Sequence, residues 1–366
     1  MLKGKVVADG LDLKNPLGAG SKLIRKLARD AELQVLELRS RNLRVVAGTD
    51  AGFVPESGVT IAFDDEIIPP DAGSDQLRLQ GGAFLGPEGW FGLATGKGMQ
   101  NLGTTTVGEF VAQRPALLGA VSASRVAVMR AVSVNEGNLE AINTYDNAFL
   151  SVGVYQWTAG PGGDPGELEG LLFRYKTSEP SGFAKYFGNF GLDIKVPPPK
   201  PGALHTGFMV LGGKTLSLPG DKAVLRDPVW AYRFWRAAHD DSFRACQIQH
   251  AVARIDVFHN APVGLASGLA VNDYLTSEYG IALVLDQHIN RPGHVPKTLA
   301  AAIAQFIKQG GAVDPASWST EDENAMLDLY IAGRAKTNMT DSDKRADSIR
   351  QAVVDKVISD QRGSFV

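Results

Sequence analysis

Residues 131–160, AVSVNEGNLEAINTYDNAFLSVGVYQWTAG, decide how the chain is read. An apolar run at helical spacing (Val126, Val128, Met129, Ala131, Val132, Val134) ends at a carboxyl residue, Glu136. Ten positions on, a second carboxyl, Asp146, stands in the polar turn Asn143-Thr144-Tyr145-Asp146-Asn147. A hydroxyl (Ser151), a glycine (Gly153) and an amide–aromatic pair (Gln156-Trp157) follow.

Two carboxyls in unlike surroundings suit acid–base cleavage of a glycosidic bond. One must stay protonated near neutral pH to protonate the leaving oxygen; the other must stay ionised to activate water or act as nucleophile. A helix end facing a cleft would desolvate Glu136 and raise its pKa. Asn143, Tyr145 and Asn147 surround Asp146 with hydrogen-bond donors that favour its charged form. Gly153 would let a sugar approach the backbone closely, and Tyr145, Phe149 and Trp157 would stack on sugar faces.

The stretch resembles the active-site segment of the lysozyme-like glycosidase superfamily. Ser151, Gly153 and Gln156 match the Ser-x-Gly-x-x-Gln pattern of goose-type lysozymes and lytic transglycosylases. Glu136, Asp146 and Ser151 follow the order of acid, acid and hydroxyl in phage-type lysozymes. The resemblance to microbial chitosanases reaches furthest, from residue 122 to the C-terminus, through helices like 230–258 and 275–289 and a late one like 326–336 that carries Arg334. It implies a mostly helical, two-lobed domain with Glu136 as general acid and Asp146 as base or transition-state stabiliser. Ser151 would hold the water, and Gln156 would fix a sugar N-acetyl group or the Asp turn. Asn143, Tyr145, Gly153 and Trp157 complete the substrate contacts, and Asp286, with Arg291 or Arg334 as its arginine partner, would support Glu136 from behind; Arg334 is the one carried on the late helix of the resemblance.

Composition sets bounds. The 366 residues suffice for two or three domains; 44% hydrophobic and 21% charged content is ordinary for a globular chain. A net charge of −3 gives no basic field for nucleic acid. The lone cysteine, Cys246, excludes an internal disulfide and reads as a small core residue. His250, His259, His288 and His294 fall at no zinc-like interval. Neither a metal nor an organic cofactor is expected. The first fourteen residues lack a signal-peptide core, and no run approaches the ~18 apolar residues of a membrane span.

Residues 1–60 read as short strands (4–8, 11–14, 33–38, 43–47, closing at 52–55), with a turn signal at Asn15-Pro16-Leu17-Gly18. They resemble the bacterial Src-homology-three-type domains of wall hydrolases, carried by Gly4-Lys5-Val6-Val7, by residues 11–18, by Ile24-Arg25-Lys26-Leu27 and by Gly52-Phe53-Val54. The fold expected is therefore α+β. A small N-terminal β-barrel (1–60) is followed by an irregular β-rich connector (61–105) and a lysozyme-like domain (106–366). Gly96-Lys97-Gly98 lacks the Gly-Lys-Ser/Thr ending and following helix of a phosphate loop. Thr106 and Glu109 mark a helix start, residues 227–258 read as one long helix, and residues 341–360 as a solvated outer helix. Residues 160–166 read as a flexible loop, and 196–202 (VPPPKPG) as a stiff proline segment that suits a domain linker or, as the resemblance implies, an insertion between two lobes.

The expected function is hydrolysis of β-1,4 bonds in an amino-sugar polymer, with cell-wall peptidoglycan as substrate by the company of the N-terminal segment. The alternatives are a chitosanase, a lytic transglycosylase relying on Glu136 alone, and a non-catalytic wall-binding component of a phage or secretion machine. Such a protein would be made in the cytoplasm and reach the wall by export or lysis. Beyond the glycan, its expected partners are delivery machinery or an immunity protein.

Overall fold

The computed structural model describes residues 2–15, 20–39, 42–63, 77–80, 82–86, 89–119, 121–199 and 203–366. Pro16–Gly18 of the expected turn and residues 200–202 of the proline segment lie outside the described residues, as does most of the front half of the connector. The chain is a mixed α+β protein.

Strands β1 (Leu2–Val6), β2 (Leu11–Asn15), β3 (Lys22–Leu27), β4 (Glu32–Arg39), β5 (Asn42–Ala47), β6 (Asp50–Pro55) and β7 (Val59–Phe63) form one antiparallel sheet, in the order β3-β2-β6-β5-β4-β1-β7. Period-two alternation builds its core. Leu43, Val45 and Ala47 point inward while Arg44 is exposed, and Leu11 and Leu13 do the same around Asp12. Among the described residues no ladder joins the edge strands β3 and β7.

The connector is more ordered than expected. Strands β8 (Arg78–Gln80), β9 (Ala83–Gly86), β10 (Gly89–Ala94) and β11 (Met99–Asn101) run on through β12 (Ile142–Asn143), β13 (Ser151–Val152) and β14 (Trp157–Thr158) as a second seven-stranded antiparallel sheet. A register shift between Trp90 and Gly92 makes Phe91 the extra residue. Phe91 therefore packs into the helical core, with its ring 5.1 Å from that of Tyr232, while Trp90 and Leu93 pack against the N-terminal core. Gly92 makes room for the bend, since a Cβ there would meet Met99 Cε at 1.9 Å.

The remainder is helical, apart from a small sheet of β15 (Leu192–Lys195), β16 (Phe208–Leu211) and β17 (Lys214–Thr215). The helices are α1 (Val107–Gln113), α2 (Ala123–Ser133), α3 (Leu168–Ser178), α4 (Pro180–Tyr186), α5 (Pro219–Lys222), α6 (Pro228–Ala238), α7 (Asp241–His259), α8 (Val271–Tyr274), α9 (Glu278–Asn290), α10 (Val295–Lys308), α11 (Thr320–Arg334) and α12 (Ser342–Val354). Thr106 and Glu109 form a capping box on α1. The long helix expected over 227–258 is two: α6 stops at Ala238, and the Asp240 carboxylate restarts the chain as α7 by accepting from Ser242 N–H (2.9 Å).

Helix α9 is buried along most of its length. Glu323, itself fully buried, holds the start of α9: it accepts from the N–H of Thr276 and Ser277 (3.3 and 3.1 Å), the Ser277 hydroxyl (2.6 Å) and Arg362 (2.7 Å). That anchoring fixes the two polar side chains near the other end of α9, Asp286 and Asn290.

Candidate active site

Helix α2 ends at Ser133, and three residues later Glu136 leans back toward α9 and α12. Its carboxylate contacts the Arg345 guanidinium of α12 and accepts from Asn290 Nδ2 of α9 (3.2 Å). Arg345 also binds Asp286 Oδ1 through Nη2 (2.6 Å) and Nε (3.0 Å), and Asp286 Oδ2 faces Arg334 Nη1 at 3.1 Å. Asp286 and Arg334 have no solvent exposure; Glu136 and Arg345 keep 12% and 13% of their side chains exposed. The four therefore form an alternating chain of acid, base, acid, base that is closed at Asp286 and Arg334 and opens to solvent at the Glu136–Arg345 end. Asn135 knits it to the end of α2, donating to Asp286 (3.3 Å) and to the Arg345 carbonyl (3.1 Å) and accepting from the Ser348 hydroxyl (2.5 Å).

Burial raises the Glu136 pKa above the ordinary glutamate value; Arg345 pulls the other way, and the Asp286 charge adds to the rise. Because Arg345 is shared with Asp286, only part of its charge serves Glu136. A carboxyl that is buried, polarised and still within reach of solvent suits a proton donor.

The Asp146 turn stands beyond the other end of the β12–β13 ladder. Gly137 N–H donates to Val154 O (3.0 Å) in the β13–β14 turn, whereas Asp146 lies in the β12–β13 loop. The two acids thus lie beyond opposite ends of the short ladder. Both Asp146 oxygens engage its own turn, accepting from Asn143 Nδ2 (2.9 Å) and Ala148 N–H (2.8 Å). Tyr145 is exposed beside it, and burial followed by the Asp146 charge raises its hydroxyl pKa.

Several expected substrate contacts turn inward. Trp157 is 2% exposed, with its ring edge-on to that of His250 at 5.5 Å, so it is core and not a sugar platform. Gly153 is buried too; it serves a turn at φ +82°, where a Cβ would meet Gln247 Oε1 at 2.3 Å, and offers sugar no approach. Phe149 is buried under the Arg226 guanidinium, 4.8 Å from its ring centre. Ser151 is 2% exposed, opposite Asn143 in the ladder. Gln156 donates to Gly153 O (2.9 Å), bracing the turn beside Gly137 and not the Asp turn. Asp286 and Arg334 do meet, as expected.

A polar stripe lies behind the hairpin. Gln247, His250 and Arg254 share one face of α7, and Gln247 ties the β13–β14 turn to the segment before β12 by accepting from Val154 N–H (3.2 Å) and donating to Leu139 O (2.9 Å). Burial opposes ionisation of Glu167, yet Arg254 and His250 outweigh it and hold its carboxyl at about 2. Burial and then Arg254 push His288 down to about 4, which leaves a neutral ring facing Arg254 Nη1 at 3.1 Å.

Arg345, Asn290, Asn135 and Ser348 were missed from sequence. Arg345 and Ser348 sit on a helix whose charge density reads as solvated, although they lie three apart, on one face.

Fold and site together define an α+β protein with a buried carboxyl–guanidinium chain ending at an acid beside a short three-strand meander. No family model, curated protein or solved structure matches the chain. Among the described residues, no group of three or more His, Cys, Asp or Glu could hold a metal ion, and no helix is long and apolar enough to cross a membrane.

Proposed function

We propose that the protein is a glycoside hydrolase of lysozyme-like fold acting on a β-1,4-linked amino-sugar polymer. The observation that carries the reading is the state of Glu136: burial raises its pKa while 12% of its side chain stays exposed, and the next residue, Gly137, is bonded to the meander that presents Asp146. Glu136 protonates the leaving glycosidic oxygen. The lone pairs of Asp146 left over from its turn activate a water or stabilise the oxocarbenium-like transition state. Exposed Tyr145 offers a ring for a sugar face. Peptidoglycan is the favoured polymer because residues 1–60 resemble wall-associated domains, and chitosan is the alternative.

A second reading draws on the Asp146 geometry. Both of its oxygens already serve the turn, as they would if Glu136 acted alone in a lytic transglycosylase. Mass spectrometry of products from sacculi and from chitosan, with Asp146→Asn beside wild type, tests both. New reducing ends and a loss of about 10²-fold or more in the variant support the hydrolase. Anhydro-sugar products with full activity in the variant support the second reading, and no products from either polymer overturn the proposal.

A further inference from the structure

The Asp146 turn is gripped from outside by a residue some eighty positions later. Arg226 closes the short helical turn Ala223–Arg226, just before the Asp227 cap of α6. Its Nη1 donates to Thr144 O (2.5 Å) and its Nη2 to Asp146 O (2.6 Å), while its guanidinium lies over the Phe149 ring. Phe149 itself holds φ +67°, a left-handed conformation that a bulky side chain adopts only under constraint. We propose that Arg226 is a positioning residue that sets the place of the Asp146 carboxylate relative to Glu136; this rests on the two-acid reading above.

The argument separates two kinds of contact. The bonds from Asn143 Nδ2 and Ala148 N–H fix the carboxylate relative to its own turn. They do not fix the turn relative to the rest of the fold, where Glu136 and its arginine stand. On the sheet side, the turn is held by Thr144, which exchanges bonds with Met99 (N–H to Met99 O 3.0 Å; Met99 N–H to Oγ1 2.9 Å). On the helical side, Arg226 supplies two parallel bonds from a planar fork. Lysine, as a point donor, cannot reproduce that geometry. Reaction geometry tolerates little error, and a displacement of about 1 Å costs on the order of 10²-fold in rate.

The test is a double-mutant cycle of Arg226→Ala and Asp146→Asn, read as kcat and KM on a soluble amino-sugar oligomer. Arg226→Ala should lower kcat about 10²-fold with KM within about threefold. Added guanidinium should restore much of that kcat, and the loss should vanish in the Asp146→Asn background. Should Arg226→Ala fold poorly, Arg226→Lys, which keeps the charge but loses the fork, carries the same comparison. An additive loss in an already impaired Asp146→Asn protein, or no rescue by guanidinium, would overturn the Arg226 role alone. Full activity of Asp146→Asn would overturn the two-acid reading beneath it.

Discussion

Replacing Asp286 by Asn probes the buried chain where its charges are most interdependent. Asp286 has no solvent exposure and answers two guanidiniums, Arg345 at 2.6 and 3.0 Å and Arg334 at 3.1 Å. The substitution keeps shape but leaves Arg334, also fully buried, facing an amide. Removing one partner of a buried pair costs about 3–5 kcal/mol, because the other charge is stranded. At about 2–4 °C per kcal/mol, the melting transition of the helical region should fall on the order of 10 °C. The charge also acts on Glu136. Loss of Asp286 removes an anion that raises the Glu136 pKa and frees Arg345 to serve Glu136 alone, so that pKa falls. A general acid works only while protonated. The descending limb of the kcat/KM–pH profile should therefore move to lower pH. Thermal melting and the pH profile of one purified variant check both effects. A melting temperature within about 2 °C of wild type, with an unmoved limb, would refute the account of a coupled charge chain.

Arg345→Gln should shift the same limb the opposite way, to higher pH, because it removes the strongest force lowering the Glu136 pKa; the same kinetic profile reads it. Glu169 gives a stability effect away from the site. Burial pushes its carboxyl up to about 8, against backbone donors and Lys222. A raised folded-state pKa contributes stability that is full below the unfolded value of 4.5 and is lost as pH rises to about 8. Melting temperature should fall across that window by an amount worth a few kcal/mol at most, and Glu169→Gln should flatten the trend. Gly153→Ala forces a Cβ onto a φ +82° residue and against Gln247 Oε1, and should cost about 2 kcal/mol or more in chemical denaturation.

What was legible in the sequence is what local chemistry decides. The Thr106–Glu109 cap, the alternation of β5 and the apolar run into Glu136 all depend on neighbours a few residues away, and all three stand in the structure. Strand β3 was harder: five of its six side chains are exposed, so it shows no alternation. Strands β12 to β14 are two residues each and exist only through their partners, which no window on the sequence displays. The break between α6 and α7 hid under an aromatic periodicity that runs up to it, although Asp240 followed by Ser242 is a capping signal. At the site, the need of Asp286 for an arginine was readable because a charge in an apolar helix demands a partner, but the choice of Arg334 over Arg291 came only with the contact. Arg345 was not: it binds Glu136 across 209 positions, from a helix with charged residues on both sides of it. Trp157 misled because an aromatic beside an acid reads equally as sugar platform or core, and only its 2% exposure decides.

The most direct test of the central claim compares wild-type protein with Glu136→Gln for release of soluble sugar from purified sacculi, with chitosan in parallel. Loss of a general acid should lower the rate about 10²–10⁴-fold while the fold and polymer binding persist. Equal rates for the two proteins, or no release by the wild type from either polymer, would contradict it.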